Sequence, residues 1–321
     1  MSATSDDGAP PAPEAAKTDE VECVRESAPP TSARGPAPRP VSRSRPPPRE
    51  LPRLGPADAA IFETFVVPRY LNLFGELAVE MIAEGEDAQV VHVNCRTGYP
   101  DRGFALKLPG AHIYGCDPST HAIELARAKA LTMPGMVSDY RVADSFPLPL
   151  PAQAFSHAYS LHPLGAPGER RVLLEELARL LGPRGQGIVA LALRGSFPEI
   201  SDLLREYALK HESLEVAKSV EAAVLVRPTA EMFGAELEAA GFDFVDVEVR
   251  THVLKFQSGR DFFEDPITRL LLLPEIRINL ALEDPETPLL YVREAIDKYW
   301  SEGTFEVTLS VGCASGRRIE R

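Results

Sequence analysis

Apolar positions in this chain recur with two different spacings, and the switches between them mark out its elements. From Ala57 to Ala83 the spacing is helical: Phe62, Phe65 and Val66, then Leu71, Phe74, Leu77, Ala78 and Met81. Pro68 predicts a break in that helix. A short apolar strand is predicted at 88–94, then a short helix at 100–108 with Pro100 near its first turn. His112-Ile113-Tyr114 opens a second strand that ends at Asp117. Ser119 is placed to cap a helix running to about Leu131, with Ala122, Ile123, Ala126 and Ala130 on its apolar face. Strands are predicted at 136–142 and 155–160. The helix over 169–181 carries Leu173, Leu174, Leu177, Leu180 and Leu181, and Gly182-Pro183-Arg184-Gly185 stops it. Ile188 to Leu193 is continuously apolar, as in a strand buried on both faces.

Thr229 caps a further helix with Phe233, Leu237 and Ala240, which Gly241 terminates. Val245, Val247 and Val249 then alternate with Asp246, Glu248 and Arg250, and Phe305, Val307, Leu309, Val311 and Cys313 alternate in the same way. The segment 258–300 between them is apolar and predicted helical. Strands separated by helices imply a mostly parallel sheet with right-handed crossovers. The expectation is one α/β domain over 56–321.

Composition changes this picture only at the N-terminus. Twelve of the 30 prolines fall within residues 1–55, where large apolar residues are few. Such a segment cannot bury enough surface to offset its ordering entropy and is expected to be a disordered Pro/Arg-rich tail. Its first part, 1–33, is acidic; 34–55 is basic and contains Arg45-Pro46-Pro47-Pro48-Arg49, which favours extended polyproline geometry. A docking tail and a solvated linker both suit it. The two parts cancel, so the domain carries essentially all of the net charge of −13. That balance argues against a nucleic-acid partner, since phosphate binding needs a basic surface. No apolar run reaches the ~18 residues that span a bilayer, and no signal peptide pattern precedes the tail. The four cysteines have no metal-type spacing, so no metal site is predicted and a reduced, cytoplasmic setting is expected.

Four segments carry candidate chemistry. Val90-Val91-His92-Val93-Asn94-Cys95-Arg96-Thr97-Gly98 is a strand running into a tight turn. Tyr114-Gly115-Cys116-Asp117-Pro118-Ser119 ends the next strand on a carboxylate. Val142-Ala143-Asp144-Ser145-Phe146-Pro147-Leu148-Pro149-Leu150 follows the third strand. Leu174 to Gly185 joins a helix to the fifth strand. In this order and spacing they resemble the class I S-adenosylmethionine (SAM) dependent methyltransferases, closest to the small-molecule group. The resemblance covers roughly 57–255 and 303–315. It implies a doubly wound, seven-stranded, mostly parallel sheet of Rossmann-like type, with helices on both faces and an antiparallel last strand.

The resemblance further implies that SAM sits beyond the carboxyl ends of the strands. Asp117 would hold the ribose and Asp144 the adenine, and His92, Asn94, Arg96 and Gly98 would form the cofactor turn. The family writes an acid and three glycines where this chain has His92, Asn94, Arg96 and Gly98, and Phe-Asp where it has Phe155-Ser156. Arg96 brings a cation where the family has a hydrogen atom, either against the cofactor's own positive charge or clamping its carboxylate.

After strand four, His162 is a candidate general base beside Tyr159 and Ser160. Two functions are expected from these residues. One is methyl transfer to a small-molecule acceptor; the other is a catalytically inactive methyltransferase-fold scaffold, with the cofactor lost, that binds a protein partner or regulates one. A nicotinamide-dependent oxidoreductase is disfavoured by the missing Gly-x-Gly-x-x-Gly turn. The apolar segment 258–300 is a candidate substrate lid or homodimer face, or simply core.

Overall fold

The computed structural model describes residues 53–163 and 167–320. The predicted tail, apart from its last three residues, lies outside the described residues. The remainder is a seven-stranded sheet between two layers of helices, in the order β3-β2-β1-β4-β5-β7-β6. The strands are β1 (Gln89–Val93), β2 (His112–Asp117), β3 (Val137–Val142), β4 (Phe155–Leu161), β5 (Leu181–Ala192), β6 (Phe242–Phe256) and β7 (Phe305–Arg318). The first five pair in parallel, and β7 runs antiparallel to both β5 and β6. This is the doubly wound architecture expected from the sequence.

The helices α1 (Pro56–Ile61) and α2 (Asn72–Met81) are joined without a break by a π-helical stretch, Phe62–Leu71. The expected interruption at Pro68 is therefore a widening of the helix. The larger π turn accommodates a ring that would clash with the carbonyl four residues back in an α-helix. Then come α3 (Asp101–Lys107), α4 (Thr120–Leu131), α5 (Pro167–Leu180), α6 (Pro198–Lys210), α7 (Leu214–Val226) and α8 (Ala230–Ala239). Ser119 and Thr229 cap α4 and α8 by accepting from Ala122 N and Met232 N. Neither α6 nor α7 is foreseen in the sequence reading, although Ile200, Leu203, Leu204 and Ala208 are buried at helical spacing. The fifth strand begins earlier than expected. It starts directly after α5 and passes through the Gly182–Gly185 turn with Arg184 in the left-handed region, which shifts its register on β4.

Between β6 and β7 lie α9 (Gly259–Glu264), a second π-helical stretch (Thr268–Leu272), α10 (Leu273–Leu280) and α11 (Glu286–Tyr299). Their apolar side chains, among them Phe262, Ile267, Leu271, Val292 and Ile296, join the core on one face of the sheet. The start of α9 abuts the backbone of α11. A Cβ at Gly259 would overlap the Arg293 carbonyl, and Gly259 N donates to Asp297 Oδ1 at 2.7 Å. The other face is covered by α5 and α8 through Leu173, Leu177, Leu180, Phe233 and Leu237. A small third cluster, Cys95, Ile123, Ala126 and Tyr140, packs α4 against the first strands.

Tyr140 lies over Gly115, where any Cβ would overlap its ring. Gly115→Ala must push that ring away and is expected to cost about 1–3 kcal/mol of stability. Urea unfolding followed by circular dichroism measures this as a lowered midpoint.

Candidate functional site

The turn after β1 is shaped by three left-handed residues in alternation: Asn94 (φ 57°), Arg96 (φ 47°) and Gly98 (φ 75°). Glycine adopts such angles without cost and asparagine with little. For arginine the conformation costs on the order of 1–2 kcal/mol, so something must hold it. The holding contacts are four. Arg96 N donates to Asp117 Oδ2 at 2.9 Å. Its guanidinium donates from Nη1 to the Leu161 carbonyl and from Nη2 to the His162 carbonyl, both at 3.1 Å. The same group lies 5.6 Å from the centre of the Phe62 ring, a cation–π distance. Arg96 thus bridges the carboxyl ends of β1 and β4, and a cation satisfies two carbonyls left free where β4 ends.

Asp117, at the end of β2, is buried, and both its oxygens accept backbone N–H bonds: Oδ2 from Arg96 and Oδ1 from Ser119 at 2.9 Å. Burial pushes its carboxyl up, and the two N–H bonds oppose that. Asp144 stands apart from this group. Its side chain is 60% exposed and its described partner is Arg53 at 3.6 Å, a surface pair that contributes little. Over the turn, residues before α1 are fixed by Ser119 Oγ donating to the Leu54 carbonyl (2.9 Å). Lys129 pairs with Glu63 at 2.6 Å and also donates to the Thr97 carbonyl.

His92 belongs to a buried network that the sequence reading missed. Its Nδ1 meets Asp101 Oδ1 at 2.6 Å. Tyr159 donates to the same oxygen at 2.5 Å and Tyr140 to Oδ2 at 2.6 Å. The rings of His92, Tyr159 and Phe104 stack at centroid distances of 4.2 and 4.0 Å. Burial would raise the Asp101 carboxyl, but the adjacent imidazole and the three side-chain hydrogen bonds outweigh it and hold it below the usual range. The acid absent from the end of β1 has a counterpart at the first position of α3, facing inward.

His162 is buried with φ 48°, and its Nε2 hydrogen-bonds Tyr70 Oη at 3.0 Å. Phe74 packs edge-on against its ring. Nδ1 has no partner among the described residues. Burial, with Arg96 and Arg227 adding to it, drives this imidazole well below its ordinary value. Tyr70 is pushed up by burial and by Glu275, and Glu275 in turn pairs with Arg227 at 2.9 Å. The structure thus brings Arg96, Asp117 and His162 together, with His92 in the neighbouring network. Ser156 lies at the opposite end of β4, bonded to the Gln89 carbonyl. Tyr70, Arg227 and Glu275 come from distant elements and carry no motif that a sequence could expose; Asp101 was readable as the acid opening α3.

With this geometry in view, residues 91–189 match the family described as methyltransferase domain. A methyltransferase of Streptomyces halstedii, GfsG, is 26% identical over 180 residues. The match spans 54% of this chain and 60% of that protein. Among solved structures, a Bacillus halodurans protein described as a methyltransferase shares 16% identity with a TM-score of 0.48, over 78% of this chain and 99% of its own. Phosphoethanolamine N-methyltransferase 2 of Haemonchus contortus shares 12% with the same score, over 83% and 58%. Residues 91–189 thus match a methyltransferase domain model, and they lie within a sheet ordered β3-β2-β1-β4-β5-β7-β6.

Folded His162 stays neutral at pH values where the unfolded imidazole, with its ordinary value of 6.5, takes up a proton. The unfolded state therefore binds more protons, and stability falls as pH drops below that value. The slope from this one group approaches about 1.4 kcal/mol per pH unit. His162→Gln should flatten the dependence by that amount when urea midpoints are compared between pH 6.5 and 5.

Proposed function

We propose that this protein is a methyltransferase-fold scaffold whose cofactor crest is held shut by its own arginine, and that it binds or regulates a partner without transferring methyl groups. The observation that carries the reading is the Arg96 guanidinium bonded to the Leu161 and His162 carbonyls at the ends of the central strands. SAM brings a sulfonium and an ammonium to this crest. A cation placed about 5 Å from a second one costs on the order of 3 kcal/mol at an effective dielectric of ~20, or roughly two decades of affinity. Arg96 as placed opposes the positive charge of that cofactor, which supports the scaffold reading. The crest carbonyls already have donors, and His92 is engaged by Asp101.

A second reading, methyl transfer to a small acceptor, is favoured by the retention of Asp117 and Asp144 and of the left-handed turn. It requires Arg96 to leave the crest. His162 would then need to act as a base from a buried position hydrogen-bonded to Tyr70.

Calorimetric titration with SAM separates the two. The scaffold reading expects no saturable heat from the wild-type protein up to millimolar ligand. Arg96→Gly is expected to bind about two decades more tightly, because it removes the cation and gives the left-handed position a residue suited to it. His92→Asp added to it is expected to cancel the gain by destabilising the fold, since it sets a second carboxylate against Asp101. Micromolar binding by the wild type would overturn the scaffold reading.

A further inference from the structure

Two adjoining cavities open where β5 gives way to α6. One, about 40 Å³, lies among α6, α7 and α10 and is lined by Phe197, Ile200, Leu204, Val220, Ala223 and Leu280. The other, about 70 Å³, is lined by Arg194, Ser196, Arg205 and Arg227. Ser201, Val224 and Arg227 border both. The space therefore has an apolar end and a cationic end that meet at Arg227.

The arginines differ in how far they are neutralised. Arg205 is bound by Asp202 at 2.8 Å and Glu221 at 2.7 Å. Arg227 gives Nη2 to Glu275 at 2.9 Å and lies over the Phe197 ring, while its buried Nε has no acceptor among the described residues. Arg194 donates to the Arg227 carbonyl and to Met232 Sδ. Among the described residues no carboxylate lies within 4 Å of it. The guanidinium of Arg194, without a carboxylate partner, calls for an anion, and the buried Arg227 Nε beside it calls for an acceptor; a planar group that accepts from both meets the two needs. The apolar cavity limits what such an anion can carry. At ~10–15 Å³ for each water-sized group, it takes about three to four carbon atoms.

We propose that this pocket binds a short aliphatic carboxylate, its head group between Arg194 and Arg227 and its hydrocarbon chain among Ile200, Leu204, Val220 and Leu280. The site needs neither SAM nor an open crest, so it stands whether or not the scaffold reading holds. Recognition requires both ends. Charge alone would admit inorganic phosphate, and the apolar end alone would admit a neutral amide of the same length.

The test is titration of the full-length protein with pentanoate, pentanamide and inorganic phosphate, followed by calorimetry. Pentanoate is expected to saturate, with the amide and phosphate each weaker by at least about tenfold. Arg194→Gln removes the uncompensated charge, and Ala223→Leu fills the apolar end; each is expected to weaken pentanoate by about tenfold. Thermal melts show whether each variant folds, and the two act through different ends of the pocket, so failure of one to fold leaves the other decisive. Absence of saturation by pentanoate overturns the proposal. So does equal binding of the amide or of phosphate, or unchanged affinity in the folded variants.

Discussion

The contact between the Arg96 guanidinium and the carbonyls that end β4 organises this face of the molecule. In a doubly wound sheet the carboxyl ends of the central strands collect unpaired carbonyls, a region of negative potential that ordinarily receives a ligand. Here a side chain of the same chain supplies the donors. The contact also explains an otherwise unfavourable backbone. Arginine at φ 47° is tolerated because its N–H, its guanidinium and its cation–π face are all engaged at once. Removing any one of these would leave the strain with less to offset it.

A second adjustment accompanies the first. With a cation at the crest, an acid at the end of β1 would be drawn toward it. The chain instead has His92 there and moves the carboxylate to Asp101 at the start of α3, where two tyrosines and the imidazole enclose it. Buried charges persist when their hydrogen bonds are complete, and a partly satisfied network would be worse than an apolar one. The stacked rings of His92, Tyr159 and Phe104 fix the imidazole so that its Nδ1 faces the carboxylate. The result ties β1, α3, β3 and β4 together under the turn.

Much of this was legible in the sequence, and the reasons differ by element. The alternation of β6 and β7 and the apolar faces of α4, α5 and α8 are period signals, and Ser119 and Thr229 announce helix starts with hydroxyls that do cap them. The seven-stranded sheet with its antiparallel last strand followed from the family resemblance that the four ordered segments carry. The helices α6 and α7 were overlooked despite a helical apolar pattern, in part because α6 opens from Phe197 in a left-handed conformation with no polar cap to flag it. For the crest, the sequence supplied the residues and not their partners. It placed Arg96 in the turn, but whether that side chain faced outward, clamped a ligand or bonded its own backbone depends on β4, some 65 residues away. Tyr70, Arg227 and Glu275 became part of one polar cluster only through the packing of helices distant in the chain.

The close seating of Gly259 on the Arg293 backbone leaves no room for a side chain where α9 meets α11. Any larger residue there would force the two helices apart, and with them the apolar side chains that they pack against the sheet. The stretch preceding α1 is fastened more lightly: the Ser119 hydroxyl donates to the Leu54 carbonyl, and Arg53 makes an exposed ion pair with Asp144.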